Sequence, residues 1–75
     1  MTPHYHINLF WSAEDESWIA DVPDLKHCSA HGPSPEAAAA EVAVAIALFV
    51  ESLEADGLPV PEPRYRPAHH GTRAA

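Results

Sequence analysis

The amino-acid sequence predicts an α+β domain, in which a three-stranded antiparallel sheet carries one long helix on one face. Two observations lead to this class. Apolar and polar residues alternate over residues 4–11, as in a half-buried strand. Over residues 38–53 the apolar residues instead recur at helical spacing. Because the strand patterns come first and the helix follows them, the chain fits a sheet covered by a single helix.

The first two strands are predicted to form a hairpin. In the segment 4–11, apolar side chains occupy every second position, with Phe10 as the exception: Tyr5, Ile7, Leu9 and Trp11. Residues 12–17 are polar and predict the turn, and residues 18–22 predict the second strand. Pro23 ends that strand, because proline has no N–H to donate to a neighbouring strand.

A third, weaker strand is predicted over residues 26–31, and the helix over residues 35–56. Ser34 is a typical helix N-cap, followed by proline at the first helical position and an acid in the first turn. Gly57 is a natural C-terminal cap, and Pro59 prevents the helix from restarting.

The predicted helix has two apolar faces of unequal size. The broad face should pack on the sheet, with Ile46 and Phe49 as its anchors: Ala38, Ala39, Val42, Ala45, Ile46, Phe49, Val50 and Leu53. Val44 and Leu48 fall on the far side, four residues apart. They form either a small contact surface or scattered surface apolar residues, which are common.

The remaining residues predict one domain, residues 1–66, and a flexible C-terminal tail, residues 67–75. Residues 58–63 are rich in proline and favour an extended chain. Residues 64–66 are a candidate for a short fourth strand at the sheet edge. No repeat and no second domain is indicated.

The charge balance restricts the partners. The chain contains eleven Asp and Glu residues and four Lys and Arg residues, which gives a net charge of -7. Because non-specific nucleic-acid binding depends on Lys and Arg, we expect no direct DNA binding, and anionic membranes are disfavoured for the same reason. A basic protein is the natural complement, although the charge also serves solubility. With one cysteine, no signal peptide and no membrane-spanning run, the chain is predicted to be cytoplasmic.

Four short blocks, in order over residues 4–63, resemble the HicB-like antitoxin family. Residues 18–25 read WIADVPDL and end in a Val-Pro-Asp-Leu turn. Residues 26–28, KHC, stand where the family usually has Pro-Gly-Cys. Residues 32–37, GPSPEA, resemble its Gly-Asp-Thr-x-Glu-Ala helix start, and residues 56–63, DGLPVPEP, resemble its proline-rich helix exit.

This resemblance implies a partial ribonuclease-H-like fold and the antitoxin role in a bacterial type II toxin–antitoxin pair. The implied partner is a small basic HicA-like toxin that cleaves RNA and whose active site the antitoxin covers. We expect a homo-oligomer, a dimer or higher, with no catalytic residue, cofactor or metal. Acidic side chains would mimic phosphates around apolar anchors, and the predicted partner-binding residues are Trp18, Glu41, Val44, Leu48 and Glu51.

Two other functions stay open at this point. The first is a stand-alone oligomeric domain that binds another protein or a ligand without a toxin. The second is a metal-dependent nuclease, which needs carboxylates clustered around two metal ions, although no spacing here forces such a cluster. Cys28 is interpreted as a buried structural thiol. His4 and His6, on one face of the first strand, are interpreted either as solvent-facing polar residues or as part of a zinc or nickel site. The further ligands of such a site would come from His27, Cys28 and His31.

Overall fold

Three strands and one helix form the domain in a computed structural model that describes residues 3–66. The strands are β1 (Asn8–Ser12), β2 (Ser17–Asp21) and β3 (Ser29–Gly32), and the helix is α1 (Pro35–Ala55). The sheet order is β1-β2-β3, and both pairings are antiparallel. The predicted α+β class is therefore confirmed, whereas the predicted tail, residues 67–75, lies outside the described residues.

The first strand differs from its prediction in both extent and burial. It begins at Asn8 rather than at residue 4. Tyr5, which precedes it, is buried, whereas Leu9 and Trp11 are 43% and 52% exposed. The alternation predicted all of these on a buried face. The physical reason is that α1 lies over β3 and β2 and reaches only the margin of β1.

A tight loop joins β2 to β3 and shifts the third strand from the predicted 26–31 to Ser29–Gly32. The N–H of Val22 donates to the carbonyl of Cys28 at 3.1 Å, and the N–H of Leu25 donates to the carbonyl of Val22 at 3.1 Å. These bonds fold the loop so that the Leu25 side chain is fully buried. Residues 26–28 lie in this loop and do not join the sheet.

The helix ends lie where their capping residues predict. The hydroxyl of Ser34 accepts the N–H of Ala37 at 3.1 Å, and Pro35 opens the helix. At the other end, the N–H of Gly57 donates to the carbonyl of Glu54 at 3.1 Å, and the N–H of Leu58 donates to that of Leu53 at 2.9 Å. With Gly57 at φ 69°, this is a Schellman cap.

The core lies between α1 and the sheet. The helix contributes a stripe at every fourth position, which lies over apolar residues of β2 and the following loop: Ala38, Val42, Ile46 and Val50. Ile46 is buried as predicted, whereas Phe49 is only half-buried and packs against the margin of the core, so it anchors the helix less deeply than predicted. At 100° per residue, Phe49 lies to one side of the stripe.

Residues 58–66 follow the helix as an extended segment, and the optional fourth strand is not formed at 64–66. The segment is instead held by side chains. The carboxylate of Asp24 accepts the N–H groups of Arg64 and Tyr65 at 3.0 and 3.1 Å. The hydroxyl of Tyr5 donates to the carbonyl of Pro61. These bonds tie the segment to the start of the chain and to the loop after β2.

Candidate protein-binding surface

The side of α1 that faces away from the sheet carries an exposed apolar pair. Val44 and Leu48 are 57% and 60% exposed, and they lie one turn apart, opposite the buried stripe. Glu41 and Glu51 are exposed on the same side. We call these four residues the outer helix surface. An apolar centre flanked by carboxylates is suited to a protein partner that combines apolar contacts with basic side chains.

Trp18, the fifth predicted partner-binding residue, lies elsewhere. It is on β2, half-buried, and packs against the core on the helix side of the sheet. Its ring meets that of Trp11 edge-on, with centroids 6.0 Å apart. The structure therefore brings together four of the five predicted residues and separates Trp18 from them.

A second exposed apolar surface on β1 was missed by the sequence reasoning. Leu9, Phe10 and Trp11 are consecutive and each is between 43% and 52% exposed. Leu9 pairs with buried Ala20, so it and Trp11 lie on the helix side of the sheet, whereas Phe10 lies on the open side. The available signal was Phe10 itself, because a strand that is apolar at three successive positions has two apolar faces. We call these residues the β1 edge patch.

The open face of the sheet has no described residues packed over it as a layer. The cross-strand register places Phe10, Ile19 and His31 in one row across the three strands. Beside this row is a shallow depression of about 390 Å³ lined by Asp15, Ser17, Ile19 and His31. Its shallow shape and mixed lining make it a weaker candidate for a binding site than the outer helix surface.

Charge is distributed unevenly along the domain, although Asp21 and Asp24 lie at the same end as the basic residues. The hairpin tip between β1 and β2 carries Glu14, Asp15 and Glu16, all exposed. Ser12 orders this turn, because its hydroxyl oxygen accepts the N–H of Asp15 at 3.3 Å. The described basic residues follow β2 or α1 at the opposite end of the sheet, near the loop 22–28: Lys26, Arg64 and Arg66. The hairpin end is therefore the more acidic end.

No protein-family model, curated protein or solved structure matched the chain. The surfaces described above are therefore the structural basis on which a function is proposed. Within residues 3–66, no helix is both long enough and apolar enough to cross a membrane.

The candidate metal ligands do not converge in the part of the chain that the structure describes. No group of three or more His, Cys, Asp or Glu side chains there is placed to hold a metal ion. His6 instead meets the Asn8 side-chain oxygen through Nε2 at 2.7 Å, and its ring contacts that of Tyr65. His27 and His31 are exposed on the loop and on β3.

Cys28 is a free thiol, buried in the core. Burial raises the pKa of this thiol above its ordinary value, and the nearby Asp21 carboxylate raises it further. Both effects favour the neutral thiol over the nucleophilic thiolate. This environment suits a packing role and disfavours a reactive one.

Proposed function

We propose that the chain is the antitoxin of a type II toxin–antitoxin pair, which binds and inhibits a small basic HicA-like toxin that cleaves RNA. The observation that carries the proposal is the outer helix surface. Val44 and Leu48 are more exposed than any other large apolar side chain of the described residues. They are flanked by Glu41 and Glu51 in a chain with a net charge of -7. Such a surface complements a basic, RNA-binding one.

The partner class is supported by the sequence blocks that resemble the HicB-like family. Each block lies at a structural junction of this domain. The Val-Pro-Asp-Leu turn contributes buried Leu25 and the Asp24 carboxylate that holds the extended segment. The helix start supplies the Ser34 cap, and the helix exit supplies the Gly57 cap. The blocks therefore describe a scaffold, and the helix between them presents the binding surface.

The mechanism follows from the arrangement of charge and apolar area. Glu41 and Glu51 lie about 15 Å apart along the helix axis. In the proposed complex they would mimic RNA phosphates on the toxin, while Val44 and Leu48 would supply the apolar anchor between them. Interface energy concentrates in a few buried anchors, whereas charges at the rim mainly set the association rate. Association should therefore slow as salt rises, and dissociation should change less.

The test is to mix the purified chain with the protein encoded beside it and to follow RNA cleavage and binding kinetics over a range of salt concentrations. Leu48→Ala should speed dissociation, and Leu58→Ala, an exposed apolar residue outside the surface, is the matched control. Glu41→Gln with Glu51→Gln should lower the association rate and its salt dependence. A lack of inhibition at any ratio, or an association rate that ignores salt, would contradict the proposal and favour the stand-alone domain.

The proposal includes a cytoplasmic location and self-association. A free thiol stays reduced in a reducing compartment such as the cytoplasm, where the RNA target of such a toxin is found. A domain of this size buries too little apolar surface to be very stable alone, so a dimer or a higher homo-oligomer is expected.

A further inference from the structure

β1 is an edge strand with unusual exposure on both of its faces. Within residues 3–66 it pairs with β2 only, so its outer edge presents backbone N–H and C=O groups without strand partners. The β1 edge patch places Leu9 and Trp11 on one face and Phe10 on the other. Edge strands of stable proteins are usually short, charged or covered. This strand carries no charge, so a cover is expected.

The charge distribution indicates which molecule covers the outer edge of β1. The chain carries a net charge of -7, so two copies repel each other over most of their surfaces. The segment Asn8–Ser12, NLFWS, contains no charged residue, and the nearest acids in sequence lie beyond it in the hairpin tip. A second copy of the chain can therefore approach along this edge with the least electrostatic cost, and the apolar side chains supply the attraction.

We propose that β1 pairs in antiparallel orientation with β1 of a second copy, around a two-fold axis at Phe10. Two three-stranded sheets would then join into one of six strands. Phe10 faces Phe10 of the partner subunit on the open side. On the helix side Leu9 faces Trp11 of the partner subunit, beside the contact between Trp11 and Trp18. Asn8 faces Ser12 of the partner subunit, so no charge is buried.

This register is favoured because it is self-complementary on both faces. Residues opposite each other in an antiparallel pair point to the same side of the sheet. Pairing around Phe10 keeps all apolar side chains of the patch in contact and leaves both helices on the same side. A shift by one residue would oppose Phe10 to Trp11 of the partner subunit and put the two helices on opposite sides.

The inference specifies the self-association proposed above and does not depend on the toxin. The outer helix surface faces away from the sheet, whereas the β1 edge patch lies at its edge, so one dimer presents two free helix surfaces. Substitutions on β1 should therefore alter the oligomeric state and leave the proposed toxin contacts of Val44 and Leu48 intact.

The first experiment is sedimentation equilibrium of the full chain at micromolar concentration, with folding checked by circular dichroism. Phe10→Glu brings two carboxylates together at the axis and should convert the dimer into a folded monomer of 8.1 kDa. Leu48→Glu introduces the same charge on the outer helix surface and should remain a dimer. If the wild type is monomeric at every concentration, both self-association and this interface are overturned, and the patch is left to residues 67–75 or to another protein.

The second experiment works even where Phe10→Glu fails to fold. Phe10→Cys places a thiol at the axis, and a short bismaleimide should link two copies into a covalent dimer, whereas Leu48→Cys should not be linked. Native Cys28 is buried and should stay unlabelled in the folded protein. A wild-type dimer in which Phe10→Cys is not linked, or in which Leu48→Cys is linked instead, would overturn the β1 interface while leaving self-association standing.

Discussion

At the residue scale, the loop after β2 contains a side chain in a backbone conformation that favours glycine. His27 has φ 61°, in the left-handed region, and it occupies the position at which the HicB-like pattern usually has glycine. The neighbouring hydrogen bonds of Leu25 and Cys28 impose the turn, and the burial of Leu25 holds it in place. Local strain at His27 is therefore tolerated because the surrounding loop determines the conformation.

His27→Gly should raise the free energy of unfolding by about 1 kcal/mol. Relief of left-handed strain is worth roughly 1–3 kcal/mol, and the greater freedom of glycine in the unfolded chain offsets roughly 0.5–1 kcal/mol of it. Urea unfolding followed by circular dichroism measures the difference. Lys26→Gly, at a neighbouring exposed position with ordinary φ, should lower stability instead. Equal losses in both variants would show that His27 is unstrained.

Tyr5 should make the fold sensitive to alkaline pH. Burial raises the pKa of its phenol, and the Asp24 carboxylate raises it further. Because the folded state holds this proton more tightly than the unfolded state, the contribution of Tyr5 to stability is complete below pH ~10 and is lost as pH rises through the folded pKa.

Tyr5→Phe tests this directly. The variant should lose about 1 kcal/mol near neutral pH, because the hydrogen bond to Pro61 is removed, but should lose less stability than the wild type above pH ~10. Tyr65→Phe, at an exposed residue, should keep the alkaline loss. Cys28 contributes its own alkaline effect to every variant, so the difference between the wild type and Tyr5→Phe reports on Tyr5. Parallel pH profiles for wild type and Tyr5→Phe would disprove the assignment.

At the element scale, the contact between β3 and the start of α1 depends on a missing side chain. A Cβ atom added at Gly32 would lie 2.8 Å from the backbone nitrogen of Ala38 and 2.9 Å from the Cβ of Ala37. Both are closer than real contacts allow, and one partner is rigid helix backbone. The glycine therefore permits α1 to lie directly against the end of β3.

Gly32→Ala should lower the free energy of unfolding by roughly 1–3 kcal/mol, because the helix must move away from the strand. The gain from restricting the unfolded chain, which usually favours Gly→Ala, is smaller than this cost. Denaturant unfolding measures the loss, with Ser29→Ala, an exposed change on the same strand, expected to stay within about 0.5 kcal/mol of the wild type. An unchanged midpoint for Gly32→Ala would show that the helix can shift freely.

At the scale of the whole molecule, the net charge of -7 governs which macromolecules can approach. Non-specific DNA binding depends on Lys and Arg side chains that neutralise phosphates, and the described basic residues are few and lie near one end of the sheet. The chain alone should therefore show no saturable, salt-sensitive binding to its own promoter DNA in fluorescence anisotropy. The comparison to make is the anisotropy of the same DNA with the complex of this chain and a basic partner. Saturable binding by the chain alone, weakened by added salt, would refute this expectation.

The sequence by itself determined the features that rest on local energetics. Ser34 and Gly57 marked the helix ends to within one residue, because capping hydrogen bonds join residues a few positions apart. Pro23 likewise marked the end of β2, and the polar residues 12–17 marked the turn between β1 and β2. The outward position of Val44 and Leu48 followed from helical periodicity alone, and their exposure agrees with it.

Only the tertiary structure decided how the elements cover one another. Alternation in β1 identified one side of the strand but not whether a helix lies over it, and α1 leaves Leu9 and Trp11 exposed. Because α1 packs on the sheet with its buried stripe, Trp18 lies on the helix side of the sheet and apart from the outer helix surface. The carboxylate of Asp24 holds Arg64 and Tyr65, about forty residues later in the chain. Such pairings depend on the path of the whole backbone, and residues distant in sequence carry no local pattern that reveals them.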